Sequence, residues 1–133
     1  MVYQALRSGF PARAAAVFGA FTDLEGMLAA TKGLEMARKI WPAELEQDRK
    51  ALVERRSALR WPERISAPVL ISQGGADQSV SVEHSFRLAK ALEAAKKPYR
   101  LLVIGGGNHP IDGSRQLFFD EADRLFRSTF EDD

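Results

Sequence analysis

The chain contains no cysteine. That excludes disulfides and thiolate metal sites and leaves the redox compartment open. It has almost no excess of either charge, since 19 Lys and Arg against 18 Asp and Glu leave +1 at pH 7. Nothing in that balance points to electrostatic capture of nucleic acid, and no nucleic-acid partner is expected. Long apolar runs are missing too. Residues 12–21 are interrupted by Arg13 and are too short to span a bilayer, so no membrane partner is expected. The N-terminus lacks a basic region followed by an apolar run and a cleavage site, so we expect no signal peptide and a cytoplasmic location. No internal repeat is visible. Gly105-Gly106-Gly107 lacks the spacing of a phosphate loop, and Pro110 stands where the helix of such a loop would begin. No cofactor and no metal are expected. His84 is read as a surface residue, and no spacing motif joins it to Asp77 and His109 as a ligand set.

What is present suits one soluble globular domain: 133 residues, 45% apolar and 28% charged. Val2 and Leu6 share a face over residues 2–8, with Gly9 placed to end the helix and Pro11 blocking its continuation. Starting at residue 1 without a cap, that helix looks cut off at its beginning. Residues 13–19 fit helix or strand alone. Their position between a helix end and the loop GAFTDLEG favours a buried parallel strand. Thr22 or Asp23 would then cap a helix to about residue 30. Residues 31–60 read as a helical excursion of one or two amphipathic helices, with Leu45, Leu52 and Leu59 at sevenfold spacing. Their Glu, Arg and Lys residues form a solvated face. Trp41 and Trp61, each before a proline, read as packing anchors, and Trp61-Pro62 ends the helical segment. The remainder reads as a strand over 69–72, a helix over 83–96, a strand over 100–104 and a helix over 114–130. On the last helix Leu117, Phe118, Ala122, Leu125, Phe126 and Phe130 are expected on one side. The tail Glu131-Asp132-Asp133 is expected to fray.

Strands alternating with helices predict an α/β fold with about three parallel strands, covered on both faces by flanking helices. Sites in such sheets lie at the carboxyl ends of the strands. Asp77 follows the second strand and His109 follows the third. A carboxylate that orients a histidine, and a histidine that takes a proton from a weak nucleophile, are two members of a hydrolytic triad. Taken alone, Asp77 also fits an ordinary turn residue and His109 an incidental loop histidine. The order Asp then His agrees with the order Ser, Asp, His.

The segment PVLISQGGADQSVSVEHSFRLAKAL resembles the strand, Gly-x-x-Asp-x-x-Val loop and helix of the prolyl oligopeptidase family of serine peptidases, an α/β-hydrolase group. KPYRLLVIGGGNHP resembles that family's last strand and histidine loop, and RRSALRWPERISAP its lead-in to the acid-bearing strand. MVYQALRSGFPARAAAVFGAFTDLEGML resembles the family's helix, strand and loop on the C-terminal side of the nucleophile serine. The resemblance covers nearly the whole chain. It implies that residues 1–133 are the C-terminal portion of an α/β-hydrolase catalytic domain, with Asp77 as triad acid and His109 as triad base. The Gly-x-Ser-x-Gly elbow should lie just before Met1 and is absent, and with it goes a backbone donor of the oxyanion hole. Pro110 replaces the small residue usual after the histidine, a change that need not displace the imidazole. Ser8, Ser66, Ser72, Ser79, Ser81 and Ser114 are all read as structural, leaving no nucleophile in the chain.

Two functions are therefore expected. In its complete form this is a serine peptidase or hydrolase acting on a peptide or ester through an acyl-enzyme, with this chain inactive alone. The alternative is a non-catalytic interaction module. It would pair with a separate N-terminal half, or form a homodimer, through an open strand edge at 13–19.

Overall fold

The computed structural model describes residues 1–131; Asp132 and Asp133, on which the expected fraying partly falls, lie outside the described residues. Three strands, β1 (Ala15–Phe18), β2 (Val69–Gly74) and β3 (Tyr99–Ile104), form one sheet in the order β1-β2-β3. Both pairings are parallel, with Ala15 opposite Val69 and Val69 opposite Tyr99. Side chains alternate across the sheet. Ala15, Val17, Val69 and Ile71 face α1 (Val2–Arg7) and α6 (Glu83–Ala94), where Tyr3, Leu6, Leu88, Ala89 and Leu92 complete a core. Ala16, Leu70 and Leu102 face α7 (Arg115–Glu131) through Phe118, Ala122 and Leu125. β2 is buried at every residue, as a central parallel strand should be. β3 is not. It is the far edge of the sheet, and Leu101 is exposed, so the expectation of cover on both faces holds for β2 and fails there. On α7 only part of the expected apolar side is covered. Ala122 and Leu125 are buried, whereas Leu117, Phe126 and Phe130 are exposed together with Phe119.

The helical excursion contains more helices than its leucine spacing suggests. After α2 (Leu24–Ala29) come α3 (Thr31–Ile40), α4 (Pro42–Gln47) and α5 (Arg49–Arg56), then two single 3-10 turns at Ala58–Arg60 and Pro62–Arg64. Pro42 explains the first break, because the residue before a proline avoids the helical region and Trp41 lies at φ −132°. Asp48 explains the second by accepting the Ala51 N–H at 2.9 Å. The sevenfold leucines therefore fall on three different elements. Leu52 is wholly buried, with Leu24, Met27, Leu28, Ala37 and Val53 around it in a separate core. Gly33 lets α3 close on α2, since a Cβ there would sit 2.0 Å from the Met27 carbonyl oxygen. Both tryptophans are anchors as expected. Trp61 is buried with Nε1–H donating to the Glu54 carbonyl at 2.9 Å, and Trp41 packs beneath the Arg56 guanidinium. Gly9, at φ +80°, ends the turn after α1.

Of the two candidate caps for α2, Asp23 takes the role, its Oδ1 accepting the Glu25 N–H at 3.2 Å. Thr22 does something else. Its hydroxyl donates to the His84 carbonyl at 2.8 Å and its N–H to His84 Nδ1 at 3.3 Å. His84 is thus half-buried and not a free surface residue, and the Phe21 ring meets it edge-on at 5.2 Å. It ties the β1–α2 loop to α6, with the Arg87–Asp23 ion pair (2.9 Å) beside it. Burial pushes this imidazole below its ordinary pKa of 6.5, against the pull of Asp23 and with the help of Arg87. The sign comes from linkage: the unfolded chain takes the proton first as the pH falls, so His84 favours the fold less below the unfolded value. Stability should therefore decline from near pH 6.5 downward, levelling once the folded pKa is passed. In His84→Gln this part of the decline should vanish, as read from urea midpoints at successive pH values.

Candidate active site

Two glycine-bearing loops leave the carboxyl ends of β2 and β3 and touch backbone to backbone. The Gly75 N–H donates to the Ile104 carbonyl at 2.8 Å and the Ala76 N–H to the Gly107 carbonyl at 2.9 Å. Gly74 makes this contact available, because a Cβ there would lie 2.2 Å from the Asn108 carbonyl oxygen and 2.4 Å from that of Gly107. The contact brings Asp77 and His109 together although they are 32 residues apart in the chain.

The Asp77 side chain is fully buried. Its Oδ1 accepts the N–H groups of Ser79 (2.7 Å) and Val80 (2.9 Å), and its Oδ2 accepts from Gln73 Nε2 (2.6 Å) and meets His109 Nδ1 (2.7 Å). Burial alone raises a carboxyl pKa. Here the hydrogen bonds from Val80, His109 and Ser79, with the charge of His109, outweigh it and hold Asp77 below its ordinary value. An ionised carboxylate can only accept, so the proton between the two residues sits on Nδ1. In the neutral ring Nε2 then carries the lone pair. Nε2 makes no hydrogen bond among the described residues, and the His109 side chain is 42% exposed. The arrangement is an oriented base with a vacant proton-accepting position.

The loop around His109 is braced on its far side. Asn108 and Asp112 exchange two hydrogen bonds of 3.0 Å, and Arg115 Nε–H donates to the Pro110 carbonyl at 3.0 Å. Ile111 is buried at φ +45°, a left-handed conformation that a β-branched residue adopts only under constraint. Pro110 does not displace the imidazole from Asp77. Beneath the ring lies Gly19, the residue after β1, at φ +54° with its N–H donating to the Ser72 carbonyl at 2.9 Å. A Cβ at Gly19 would approach His109 Cε1 to 2.9 Å.

The serines stand elsewhere. Ser72 is buried in β2 with its hydroxyl unpartnered among the described residues, and Ser81 Oγ accepts from the Glu83 N–H. Ser8 and Ser66 donate to the carbonyls of Ala5 and Leu6, Ser79 offers its N–H to Asp77, and Ser114 precedes α7. None bonds to His109 among the described residues. His84 lies apart from the pair, on Thr22, and no cluster of metal-ligating side chains occurs among the described residues. Sequence reading missed Gly19 and Gln73. A glycine closing a strand signals a special backbone position, but which ring it accommodates is a tertiary fact. A glutamine next to a glycine carries no comparable signal.

Comparison with known proteins gives a consistent picture. The profile described as the prolyl oligopeptidase family matches residues 10–127. No curated protein matches the chain. Among solved structures, a puromycin-hydrolyzing peptidase of Mycobacterium tuberculosis is 30% identical over 73% of this chain and 15% of its own length, with a TM-score of 0.61. A puromycin hydrolase is 18% identical over 97% of this chain and 20% of its own, with a TM-score of 0.83. The acylaminoacyl peptidase of Pyrococcus horikoshii is 17% identical over 98% and 22%, with a TM-score of 0.74. The last two likenesses establish an α/β-hydrolase fold with three parallel strands and flanking helices. The chain spans about a fifth of the length of these structures or less.

Gly19→Ala provides a direct check on the geometry around His109. The left-handed backbone alone costs about 1–2 kcal/mol with a Cβ present, and the ring must also move. We expect a lower denaturation midpoint and a shifted His109 imidazole resonance, with the His84 resonance unchanged.

Proposed function

This chain belongs to the prolyl oligopeptidase family of serine peptidases, and on that premise we propose that Asp77 and His109 are the acid and base of an acyl-transfer site. The observation that carries the reading is the 2.7 Å contact between Asp77 Oδ2 and His109 Nδ1, with Nε2 left open. Nε2 takes the proton of a serine hydroxyl as it attacks a peptide or ester carbonyl. The resulting imidazolium is stabilised by Asp77 and returns the proton to the leaving group. Water then releases the acyl group by the same proton transfers. The serine and the oxyanion donor after it are supplied from outside this chain. Without a nucleophile the cost in turnover is on the order of a millionfold, so the chain alone is inactive. Incubation with a chromogenic aminoacyl ester and a serine-directed fluorophosphonate checks this. We expect neither turnover nor labelling. Fluorophosphonate-sensitive turnover by the chain alone would falsify the assignment.

A second reading rests on β1. Ala15 and Gly19 give their N–H groups to the β2 side, so by alternation the N–H and C=O of Ala16 and Phe18 point to the unpaired edge. Beside that edge lies an apolar cavity of about 440 Å³ lined by Val2, Tyr3, Phe18, Met36 and Ile40 among others. Tyr3 Oη and Arg56 Nε, on residues that line the same cavity, are buried without hydrogen-bond partners among the described residues. Unpaired backbone and orphaned donors call for carbonyl oxygens beside apolar side chains, which an added strand provides. The occupant is a strand from the part that carries the nucleophile. Amide exchange and light scattering test this together. A monomer with fast exchange at Ala16 and Phe18 and slow exchange at Ala15 is expected. A dimer protected at both would assign the edge to a second copy, and a monomer protected at both would overturn the open edge.

A further inference from the structure

Gln73 is the most deeply buried polar side chain near the pair, with no exposed surface. It stands on β2, four residues before Asp77, and spans the loop that carries it. Its amide nitrogen donates to Asp77 Oδ2 at 2.6 Å and to the Val80 carbonyl at 3.0 Å. Its amide oxygen accepts from the Ser85 hydroxyl of α6 at 3.1 Å. A carboxylate and a carbonyl only accept, which fixes which end of the amide carries the hydrogens. Val80 closes the ring by giving its own N–H to Asp77 Oδ1.

We propose that Gln73, anchored by Ser85, is the positioning residue for the Asp77–His109 pair. The backbone N–H groups hold only Oδ1, which leaves the carboxylate free to turn about that anchor. Gln73 pins Oδ2, so that the remaining lone pair of that oxygen points at Nδ1. The amide also acts electrostatically. Its N–H dipole sets a partial positive charge against the oxygen that would stabilise an imidazolium, and so weakens the negative potential at Nδ1. Gln73 therefore acts on the orientation of His109 and on the charge it faces without touching it. Its catalytic meaning rests on the function proposed above, whereas the test reads the pair itself.

The experiment is side-chain nitrogen NMR of the two histidines, titrated in the full chain and in two variants. In Gln73→Met the donor is removed at nearly constant volume. In Ser85→Ala the donor stays and loses its anchor. We expect the pH dependence of the His109 resonances to change in Gln73→Met and to change less in Ser85→Ala. The Nδ1 resonance should move in both, with His84 unmoved in Gln73→Met. Asp77 is the charged group bonded to His109 among the described residues; Asp112 and Arg115 pair with each other in the next turn, and neither variant alters them. A Gln73 that merely fills buried polar space would lower stability and leave His109 unchanged. An unmoved midpoint and Nδ1 resonance in folded Ser85→Ala and Gln73→Met overturns the proposal. Should Gln73→Met not fold, an unmoved His109 in Ser85→Ala overturns it alone. Absence of peptidase activity in any assembly would count against the proposed function and leave this titration result standing.

Discussion

A buried carboxylate has to be met by donors on every side. An ion left unpaired inside a protein costs several kcal/mol, a large share of the 5–15 kcal/mol that holds a typical domain together. Asp77 has no exposed side-chain surface and meets four donor groups. Each comes from a separate decision of the chain. Gln73 belongs to β2, the Ser79 and Val80 amides belong to the turn, and His109 arrives from the end of β3. The glycine at 74 exists because the last of these could not otherwise approach. The two strands, the crossover helix between them and the two loops are consistent with this single requirement.

Much of that frame is legible in the sequence. The order of strands and helices comes from apolar patterning and from Gly and Pro punctuation. Asp77 and His109 are legible because both stand just past strand ends, where a parallel sheet places its chemistry. The helical excursion reads less well. A seven-residue leucine interval imitates one continuous face, while Pro42 and Asp48 carry the local signals that divide it, and local backbone chemistry outranks long periodicity. His84 misleads for another reason. Its helix is polar enough to suggest solvent, but its partner Thr22 lies 62 residues earlier and no local pattern encodes that pairing. Gln73 escapes because the apolar run of β2 stops at Ser72, so the glutamine falls into an expected loop where polarity needs no explanation. In the folded chain it is the penultimate residue of a strand buried throughout, where polarity does need one.

β1 and β3 are both edge strands of the sheet, yet the two sides of this site differ. Toward β3 the Asp77 and His109 loops are closed on each other. Toward β1, among the described residues, there are unpaired backbone groups, an apolar cavity and two orphaned donors. The chain belongs to the prolyl oligopeptidase family and spans only a small share of the length of the solved structures it matches.

The paired loop backbones also govern motion. Because Gly75 and Ala76 are hydrogen-bonded into the β3 side, a displacement of one loop would be carried to the other, and with it the spacing of Asp77 and His109. β1 is joined to these loops through the Gly19–Ser72 hydrogen bond and the contact beneath the imidazole. A strand arriving at the β1 edge would therefore find the Asp77–His109 distance already set. What remains adjustable is the distance between the newcomer and the imidazole.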